Sequence, residues 1–366
     1  MIPIAGICLL LSRSRLLLHI SHVLMEARMK RTMVFLTAVF FFLTVNAVFA
    51  GETLDAVKTR GHLVAGVNTG AAGFSMPDKE GHWTGLDVDI ARSIATAVFG
   101  DPTKVKFIPL TSQQRFAALQ SGEVDVLCRQ TTMTLSRDTA LGFEFAPPVY
   151  YDGQGIMVDK KLGVKSAKDL DGATICLLPG TTSERNISDY FRSEGMKFKP
   201  VLIESKDELL KSFVTGRCDC LTSDASTLAG MRTVTAAPDQ YMILPERISK
   251  EPLATAVRQG DSQWKDIVYW TVLALIEAED LGINSKNVDD MLKSKDPKVQ
   301  RFLGVTPGNG KALGVDEKWA YAIVKNIGNY GEVFARNLGP GTPMNLDRGM
   351  NRLYKEGGLL YSPPFK

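Results

Sequence analysis

Histidine is scarce in this chain, with four residues among 366. Beyond residue 50 only His62 and His82 are present, and they lie in different segments. A histidine-rich metal site is therefore excluded there, and a Ser-His-Asp triad has few candidates. The sequence predicts no metal, no cofactor and no catalytic residue.

Beyond residue 50 the chain has almost no excess of positive or negative charge. The first fifty residues hold five basic side chains against the single acidic Glu26. In the remainder, acidic and basic residues are nearly equal in number, so no basic surface is left to attract a nucleic acid. We predict no nucleic-acid partner.

A long hydrophobic run occurs once, near the N-terminus. Basic residues at 28, 30 and 31 precede the apolar stretch 33–45, and small residues lead up to Ala50. This order is typical of a secretory signal peptide. We expect cleavage after Ala50; cleavage after Ala47 and an uncleaved membrane anchor are the alternatives. For residues 1–24, upstream of this signal, we favour an incorrectly extended start.

Two runs of alternating strands and helices follow. In the first, strands are predicted over 62–67, 105–110 and 124–127, with helices over 86–98 and 112–120, the latter capped by Ser112. In the second, strands are predicted over 174–178, 201–203 and 218–222, with helices over 183–193 and 206–215. A helix over 262–281 comes next, and the Gly- and Pro-rich chain from Gly304 is expected to drape over a lobe. The pattern predicts an α/β protein with two lobes.

One candidate ligand site lies between a strand and a helix of the second run. Thr181 and Glu184, which follow Gly180, have the spacing of a capping box. Free N–H groups at a helix start attract a carboxylate or phosphate. A plain N-cap accounts for the same spacing, and both interpretations stay open.

Other candidates follow strands in each run. The segment from Gln130 to Arg137, which includes Thr132, offers hydroxyl groups and a guanidinium after the strand 124–127. Asp224 follows the strand 218–222. Ligands of α/β sheets bind beyond the carboxyl ends of strands, and the arginine fork matches a carboxylate.

Several longer motifs resemble those of the family 3 bacterial extracellular solute-binding proteins, and the tail resembles the general L-amino-acid branch of ABC-transporter binding proteins. The motifs lie at 85–98, 119–126, 143–151, 170–172, 334–339, 348–354 and 361–364. The resemblance covers the chain from about Leu54 to the C-terminus. It implies a type II periplasmic-binding-protein fold, in which each lobe is a doubly wound, mainly parallel sheet and a hinge crosses between them. The first part of lobe 1 is expected at 51–154 and lobe 2 at 155–250. Residues 251–366 are expected to return to lobe 1 and to form a C-terminal extension.

The resemblance also implies a role for each candidate residue. Family members bind the ligand α-carboxylate with an arginine five residues after a threonine or serine, the spacing of Thr132 and Arg137. The Gly-Thr-Thr contact falls on residues 180–182, with Thr181 and Thr182. The aspartate for the α-ammonium falls on Asp224, and some relatives place a side-chain contact at the position of Asn68.

The sequence departs from the family pattern at two places in the pocket for the ligand side chain. Ala71 and Ala72 stand where relatives often have an aromatic residue that covers the ligand, and Leu178 replaces a lysine of some relatives. A roomier pocket that accepts several amino acids is expected.

The function implied is that of a periplasmic, monomeric binding protein that delivers L-amino acids to an ABC transporter permease. Opposite charges in the two lobes would hold one zwitterion, so ligand binding would stabilise the closed state. A periplasmic cyclohexadienyl-type dehydratase on the same fold is the alternative, although neither histidine is an obvious general acid or base.

Cysteine pairing gives one further prediction. Cys128, Cys176, Cys218 and Cys220 allow three complete pairings, and spacing alone does not choose among them. If the second-lobe sheet has doubly wound order, the strands bearing Cys176 and Cys218 are neighbours, which predicts that disulfide with Cys128 free. Side chains alternate between the two faces of a strand, so Cys220 points to the same face as Cys218. Cys220 is therefore not excluded as the partner of Cys176.

Overall fold

The structure is a computed structural model that describes residues 52–366. The predicted signal peptide, its cleavage site and the upstream segment lie outside the described residues. Within residues 52–366 no helix has the length and apolar character needed to cross a membrane.

The strands of the described chain form two five-stranded sheets and a small hairpin. In chain order they are β1 (Leu63–Asn68), β2 (Met76–Pro77), β3 (Trp83–Thr84), β4 (Val105–Leu110), β5 (Val126–Thr132), β6 (Phe143–Asp152), β7 (Gln154–Asp159), β8 (Thr174–Leu177), β9 (Lys199–Leu202), β10 (Cys220–Asp224), β11 (Tyr241–Ile243) and β12 (Glu251–Arg258).

Each large sheet is mainly parallel. The first has the order β4-β1-β5-β12-β6, and the second has the order β11-β7-β10-β8-β9. In the first sheet only β12 runs against the others, and in the second only β7 does. We call the part built on each sheet the first and the second lobe. The predicted α/β fold is confirmed.

Helices cover the faces of these sheets. They are α1 (Glu52–Arg60), α2 (Leu86–Phe99), α3 (Gln114–Ser121), α4 (Leu135–Thr139), α5 (Thr182–Ser193), α6 (Lys206–Val214), α7 (Ala225–Thr233), α8 (Ser262–Asp280), α9 (Val288–Met291), α10 (Pro297–Phe302), α11 (Asn309–Leu313), α12 (Trp319–Asn326) and α13 (Tyr330–Asn337). In α2 the apolar residues Leu86, Ile90 and Ile94 recur at helical spacing and are fully buried, and Gly100 ends the helix with a left-handed φ of 70°.

The chain passes between the lobes twice, at neighbouring points. β6 of the first sheet ends at Asp152 and β7 of the second begins at Gln154. The chain returns between Ile243 and Glu251, and Glu251 pairs with Asp152. These crossings support the predicted lobe boundaries near 155 and 250, which stay a prediction.

Several element boundaries differ from the sequence prediction, and three of the differences concern residues of the candidate site. Helix α3 begins at Gln114, and Ser112 does not cap it, because the Ser112 hydroxyl accepts a hydrogen bond from Arg129 Nη2 at 3.1 Å. β5 continues to Thr132 and β10 to Asp224, so these polar residues end the strands instead of following them.

The expectation of a tail draped over a lobe was wrong for residues 309–337. They form α11, α12 and α13, and buried faces of α12 and α13 belong to the core of the first lobe. Near the end of the chain, the Phe365 ring lies 5.1 Å from the Trp270 ring and 5.3 Å from the Phe302 ring. Frequent Gly and Pro between short helices obscured the apolar spacing within each helix.

The predicted disulfide between Cys176 and Cys218 is confirmed, with a Cα–Cα distance of 5.7 Å. Cys128 and Cys220 are free and buried, and burial raises the pKa of both thiols. The neighbouring strands β8 and β10 bring the pair together. Cys220 instead lies opposite Ile175 inside the ladder, a difference that strand alternation alone does not reveal.

Candidate functional site

The carboxyl ends of three strands and the start of one helix face a cavity between the lobes. Asn68 ends β1, Thr132 ends β5, Asp224 ends β10, and Thr181 precedes α5. In this arrangement of the lobes the cavity is small, and water-sized molecules can occupy about 30 Å³ of it.

Six of the seven predicted site residues line this cavity. They are Asn68, Gln130, Thr132, Thr181, Thr182 and Asp224. The other lining residues are Ser112, Arg115, Arg129, Leu178, Ser183, Lys206, Ser223 and Thr227. Arg137, the remaining predicted residue, is not among them.

Contacts across the cavity hold the two lobes together. Gln130 Nε2 of the first lobe donates to Thr227 Oγ1 of the second at 3.0 Å. At the rim, Thr111 Oγ1 donates to Glu204 Oε1 at 2.9 Å. The structure therefore describes a closed arrangement of the lobes.

The start of α5 offers backbone donors to the cavity. The Thr181 hydroxyl caps the helix by accepting from Glu184 N–H, whereas the Glu184 carboxylate accepts from Gly180 N–H instead of closing a capping box on Thr181. The N–H groups of Thr182 and Ser183 lie in the first turn, where a helix has no internal acceptor for them. The cap is therefore present, and amide groups lie at the cavity wall, whereas the anion-site interpretation stays a prediction.

Arg137 lies behind Thr132. Its Nη1 donates to the Thr132 carbonyl at 2.7 Å, and its guanidinium packs 5.1 Å from the centre of the Phe116 ring. Burial lowers the pKa of Arg137 to about 10, and the nearby Glu251 opposes this shift. Its positive charge thus lies one residue away from the cavity surface.

Glu251 is a central residue that the sequence prediction missed. Its Oε2 accepts from Thr132 Oγ1 at 2.5 Å in the first lobe and from Thr182 Oγ1 at 2.9 Å in the second. Its Oε1 accepts from Asn186 Nδ2 and Ser249 Oγ, both at 2.7 Å. The carboxylate is buried and joins the lobes beside the cavity.

Two arginines in the cavity wall were also missed. Arg115 is buried, and its Nη2 makes only a long 3.4 Å contact to the Gly180 carbonyl while Nε has no partner among the described residues. Arg129 is buried and anchored by bonds to the Leu110 carbonyl and the Ser112 hydroxyl. Burial lowers the pKa of Arg129 to about 10.

Asp224 faces these cations from the second lobe. It is buried, and within residues 52–366 its carboxylate has neither an ion pair nor a side-chain hydrogen bond. Burial raises its pKa, and the charges of Asp152 and Glu251 raise it further. An unpaired buried carboxylate is costly, so a ligand ammonium is a favourable partner for Asp224.

Gln130 is held in an unusual backbone conformation beside the cavity. Its φ is 43°, a left-handed value that is uncommon for residues other than glycine, and its N–H donates to Asp87 at 3.0 Å. Its Oε1 accepts from Asn68 Nδ2 at 3.3 Å, and Asn68 Oδ1 is buried with no hydrogen-bond partner among residues 52–366. Burial raises the pKa of Asp87 to about 7.

Lys206 completes the polar lining. It is half-buried at the first residue of α6, and its Nζ lies 3.4 Å from Gln130 Oε1. Burial and then the charge of Arg129 lower its pKa to about 7, against the opposing effect of Asp224 and Asp87.

Two of the missed residues carried a local signal in the sequence. Arg129 follows Leu127 and Cys128 within a buried strand, where a charge needs a specific reason. Lys206 places a positive charge at the positive end of a helix dipole. Glu251 and Arg115 gave no comparable signal, because their burial depends on how the lobes close.

Comparison with known proteins identifies relatives over most of the chain. The family model of bacterial extracellular solute-binding proteins, family 3, matches residues 63–284. The general L-amino acid-binding periplasmic protein AapJ of Rhizobium johnstonii is 52% identical over 319 residues, 87% of this chain and 94% of that protein. The glutamate/glutamine/aspartate/asparagine-binding protein BztA of Rhodobacter capsulatus is 47% identical over 335 residues, 90% of this chain and 99% of that protein.

A solved structure is similar over the same extent. It is an ABC transporter/periplasmic binding protein from Brucella ovis with glutathione bound. It has 50% sequence identity and a TM-score of 0.85, and the match covers 86% of this chain and 99% of that one.

Proposed function

Because the chain belongs to the bacterial extracellular solute-binding proteins of family 3, we propose that it captures L-amino acids and delivers them to an ABC transporter permease. The observation that carries this proposal is the charge arrangement of one closed cavity. Buried arginines and free helix amides line it, and an unpaired carboxylate, Asp224, faces them from the second lobe. A zwitterion supplies the missing partner for each.

The α-carboxylate end is assigned to the start of α5 and the end of β5. The Thr181–Thr182 segment contributes backbone N–H groups, and Thr132 contributes the wall of the other lobe. Arg137 contributes positive charge from behind Thr132, although Glu251 offsets part of it.

The α-ammonium end is assigned to Asp224. Asn68, whose Oδ1 is buried without a partner, supplies a neutral acceptor, and Gln130 fixes the orientation of Asn68. Since the two ends of the ligand bind different lobes, the ligand stabilises the closed state through its differential affinity.

The names of the relatives support a range of amino acids. One relative is named for L-amino acids in general and another for glutamate, glutamine, aspartate and asparagine, and the Brucella ovis structure holds glutathione. We propose that this chain likewise accepts several polar amino acids.

The proposal extends to place and partners. The protein acts as a monomer in the periplasm after cleavage behind Ala50, and the closed shape is read by a permease. Mass analysis of the exported chain tests the cleavage, since a chain beginning at Gly51 is expected and one that retains residues 33–50 would contradict it.

The binding proposal is tested by native mass spectrometry and calorimetry. We expect an amino acid to co-purify at one molecule per chain and to be recovered unchanged. His62 and His82 do not line the cavity, so neither is placed for acid–base chemistry. Recovery of a dehydrated product after incubation with a cyclohexadienyl acid would support the enzymatic alternative instead.

A further inference from the structure

Three cations line the ligand cavity without an ion pair. Among the described residues, no carboxylate lies within 4.0 Å of a charged nitrogen of Arg115, Arg129 or Lys206. Buried charges are normally paired, because a protein interior solvates them poorly. The cavity therefore has positive charge that the protein itself leaves uncompensated.

A simple zwitterion does not remove this surplus. Its carboxylate adds one negative charge at the cations, and its ammonium takes up Asp224. Of the other acidic residues nearby, Glu251 offsets Arg137, Asp152 is offset by Arg247, and Asp87 lies behind Gln130. Counting Asp87 and Asp224 against the three lining cations leaves one positive charge. A ligand with a net charge of −1 balances it.

Lys206 is the cation most available to a second anionic group. Arg129 is fixed on the Leu110 carbonyl and Ser112, and Arg115 lies near Gly180, beside the proposed carboxylate end. In the described part of the chain, the Lys206 ammonium has only the 3.4 Å contact with Gln130 Oε1. It also stands at the start of α6, where the helix dipole disfavours a cation, and such local conflicts concentrate at functional sites.

The position of Lys206 fits the direction of a ligand side chain. A second cavity, in which water-sized molecules can occupy about 40 Å³, shares Lys206 and Thr227 with the first. Ala71 and Ala72 line this second cavity, so no large side chain from that loop fills it. Because Lys206 lines both cavities, it lies where a ligand group that extends from the first toward the second would meet it.

We propose that the site prefers amino acids that carry a second carboxylate, and that Lys206 binds this carboxylate and so determines the specificity. The inference rests on the proposed amino-acid function. Its ligand class includes dicarboxylic amino acids and their γ-linked peptides, which share an α-amino acid end and a further carboxylate.

Calorimetric titration with L-glutamate and L-glutamine gives the most direct test. These ligands have nearly the same shape and differ in one charge, so the ratio of their affinities isolates the second carboxylate. We expect the protein to prefer glutamate, and we expect Lys206→Met to reduce the glutamate-to-glutamine ratio by about 10- to 100-fold, the range for a hydrogen bond to a charged group. Lys211→Met, on the exposed side of the same helix, is the matched control and should keep the ratio.

Each other outcome has a definite meaning. Equal affinity of the unmodified protein for both ligands, or an unchanged ratio in Lys206→Met, would overturn the inference while leaving amino-acid binding intact. Absence of binding by glutamate, glutamine, alanine and arginine alike would contradict the proposed function itself. A parallel titration with glutathione separates the sources: tight binding that depends on Lys206, with weak glutamate binding, supports the same assignment with a γ-glutamyl peptide as ligand.

Discussion

Glu251 lies directly opposite Asp152 in the antiparallel strands β12 and β6, at the two points where the chain passes between the lobes. Asp152 is half-buried and accepts hydrogen bonds from Gly153 N–H and Ser226 N–H. Glu251 is fully buried and accepts from both lobes. Two carboxylates thus share the hinge, and both contribute to the raised pKa of Asp224.

Glu251→Gln should favour the open arrangement. The variant keeps the size of the side chain but removes its charge and one of its two acceptor oxygens, so the hydrogen bonds from both lobes cannot all be kept. We expect a larger radius of gyration of the ligand-free protein in small-angle X-ray scattering. Affinity should fall by about tenfold for every amino acid.

Glu246→Gln serves as the control for this experiment. Glu246 accepts from the Ser166 hydroxyl, and both residues contact only the second lobe. If scattering and affinity of Glu251→Gln match those of the control, the carboxylate does not hold the lobes together.

Arg137→Ala should weaken the binding of all amino acids to a similar extent. Every amino acid carries the α-carboxylate, and Arg137 acts on it by its charge from behind Thr132 without a direct contact, so we expect a loss of about tenfold in affinity for each ligand. Titration with an acidic, a basic and an apolar amino acid measures this. Arg217→Ala, an exposed arginine, is the control and should change affinity by less than about threefold.

The position of Arg137 behind Thr132 makes the outcome informative. A loss confined to acidic ligands would assign Arg137 to side-chain recognition. Unchanged affinity for all three ligands would leave Arg115, which lines the cavity directly, as the arginine that serves the carboxylate.

Asp224→Asn should remove the preference for an ammonium group. The amide has no charge to pair with the ligand nitrogen, whereas the carboxylate of the unmodified protein has no other partner among the described residues. We expect the unmodified protein to bind L-glutamate much more tightly than 2-oxoglutarate, and the variant to bind the two similarly. Asp239→Asn, which is exposed, should keep the preference. If Asp224→Asn still prefers L-glutamate to 2-oxoglutarate, the ligand ammonium binds a residue other than Asp224.

Local patterns in the sequence were sufficient to predict most of the fold. Strand β4 was predicted with its observed bounds, and α2 to within one residue, because both combine a regular apolar pattern with a clear turn signal. The helices of the C-terminal segment were missed, because each is short and stabilised by packing on α2 and α8, not by its own pattern.

The site was predictable where a residue ends an element, and not where it depends on closure. Thr132 and Asp224 could be placed from strand ends, and Thr181 from its capping spacing. Glu251 gains its role from donors in β5, in α5 and just before β12, which no local pattern brings together.

Loss of the disulfide between Cys176 and Cys218 should destabilise the folded protein. Cys176 and Cys218 close a loop with a sequence separation of 42. The chain-entropy relation gives a stabilisation of about 4 kcal/mol for a loop of this length. We expect the double variant Cys176→Ser/Cys218→Ser to lose about that free energy of unfolding in guanidinium titrations. Cys220→Ser removes a buried sulfur but no bond, so a loss as large in this control would assign the effect to burial.

The preference for glutamate over glutamine should depend on pH through Lys206. Burial and the charges of Arg129 and Arg115 lower its pKa to about 7, while Asp224 and Asp87 oppose the shift. A bound carboxylate stabilises the charged form, so the pKa of Lys206 rises in the complex with glutamate. Below pH 7 the lysine is already protonated in the free protein, and the preference is constant. Above pH 7 binding of glutamate requires proton uptake by Lys206, so the glutamate-to-glutamine affinity ratio should fall by up to about tenfold per pH unit.

The two ligands share the α-carboxylate, the ammonium and the contact with Asp224. The titrations of these groups therefore cancel in the ratio. Calorimetry from pH 6 to 9 measures it, and Lys206→Met should make it independent of pH. A ratio that stays constant in the unmodified protein, or that rises with pH, would contradict the assignment of Lys206 to the second carboxylate.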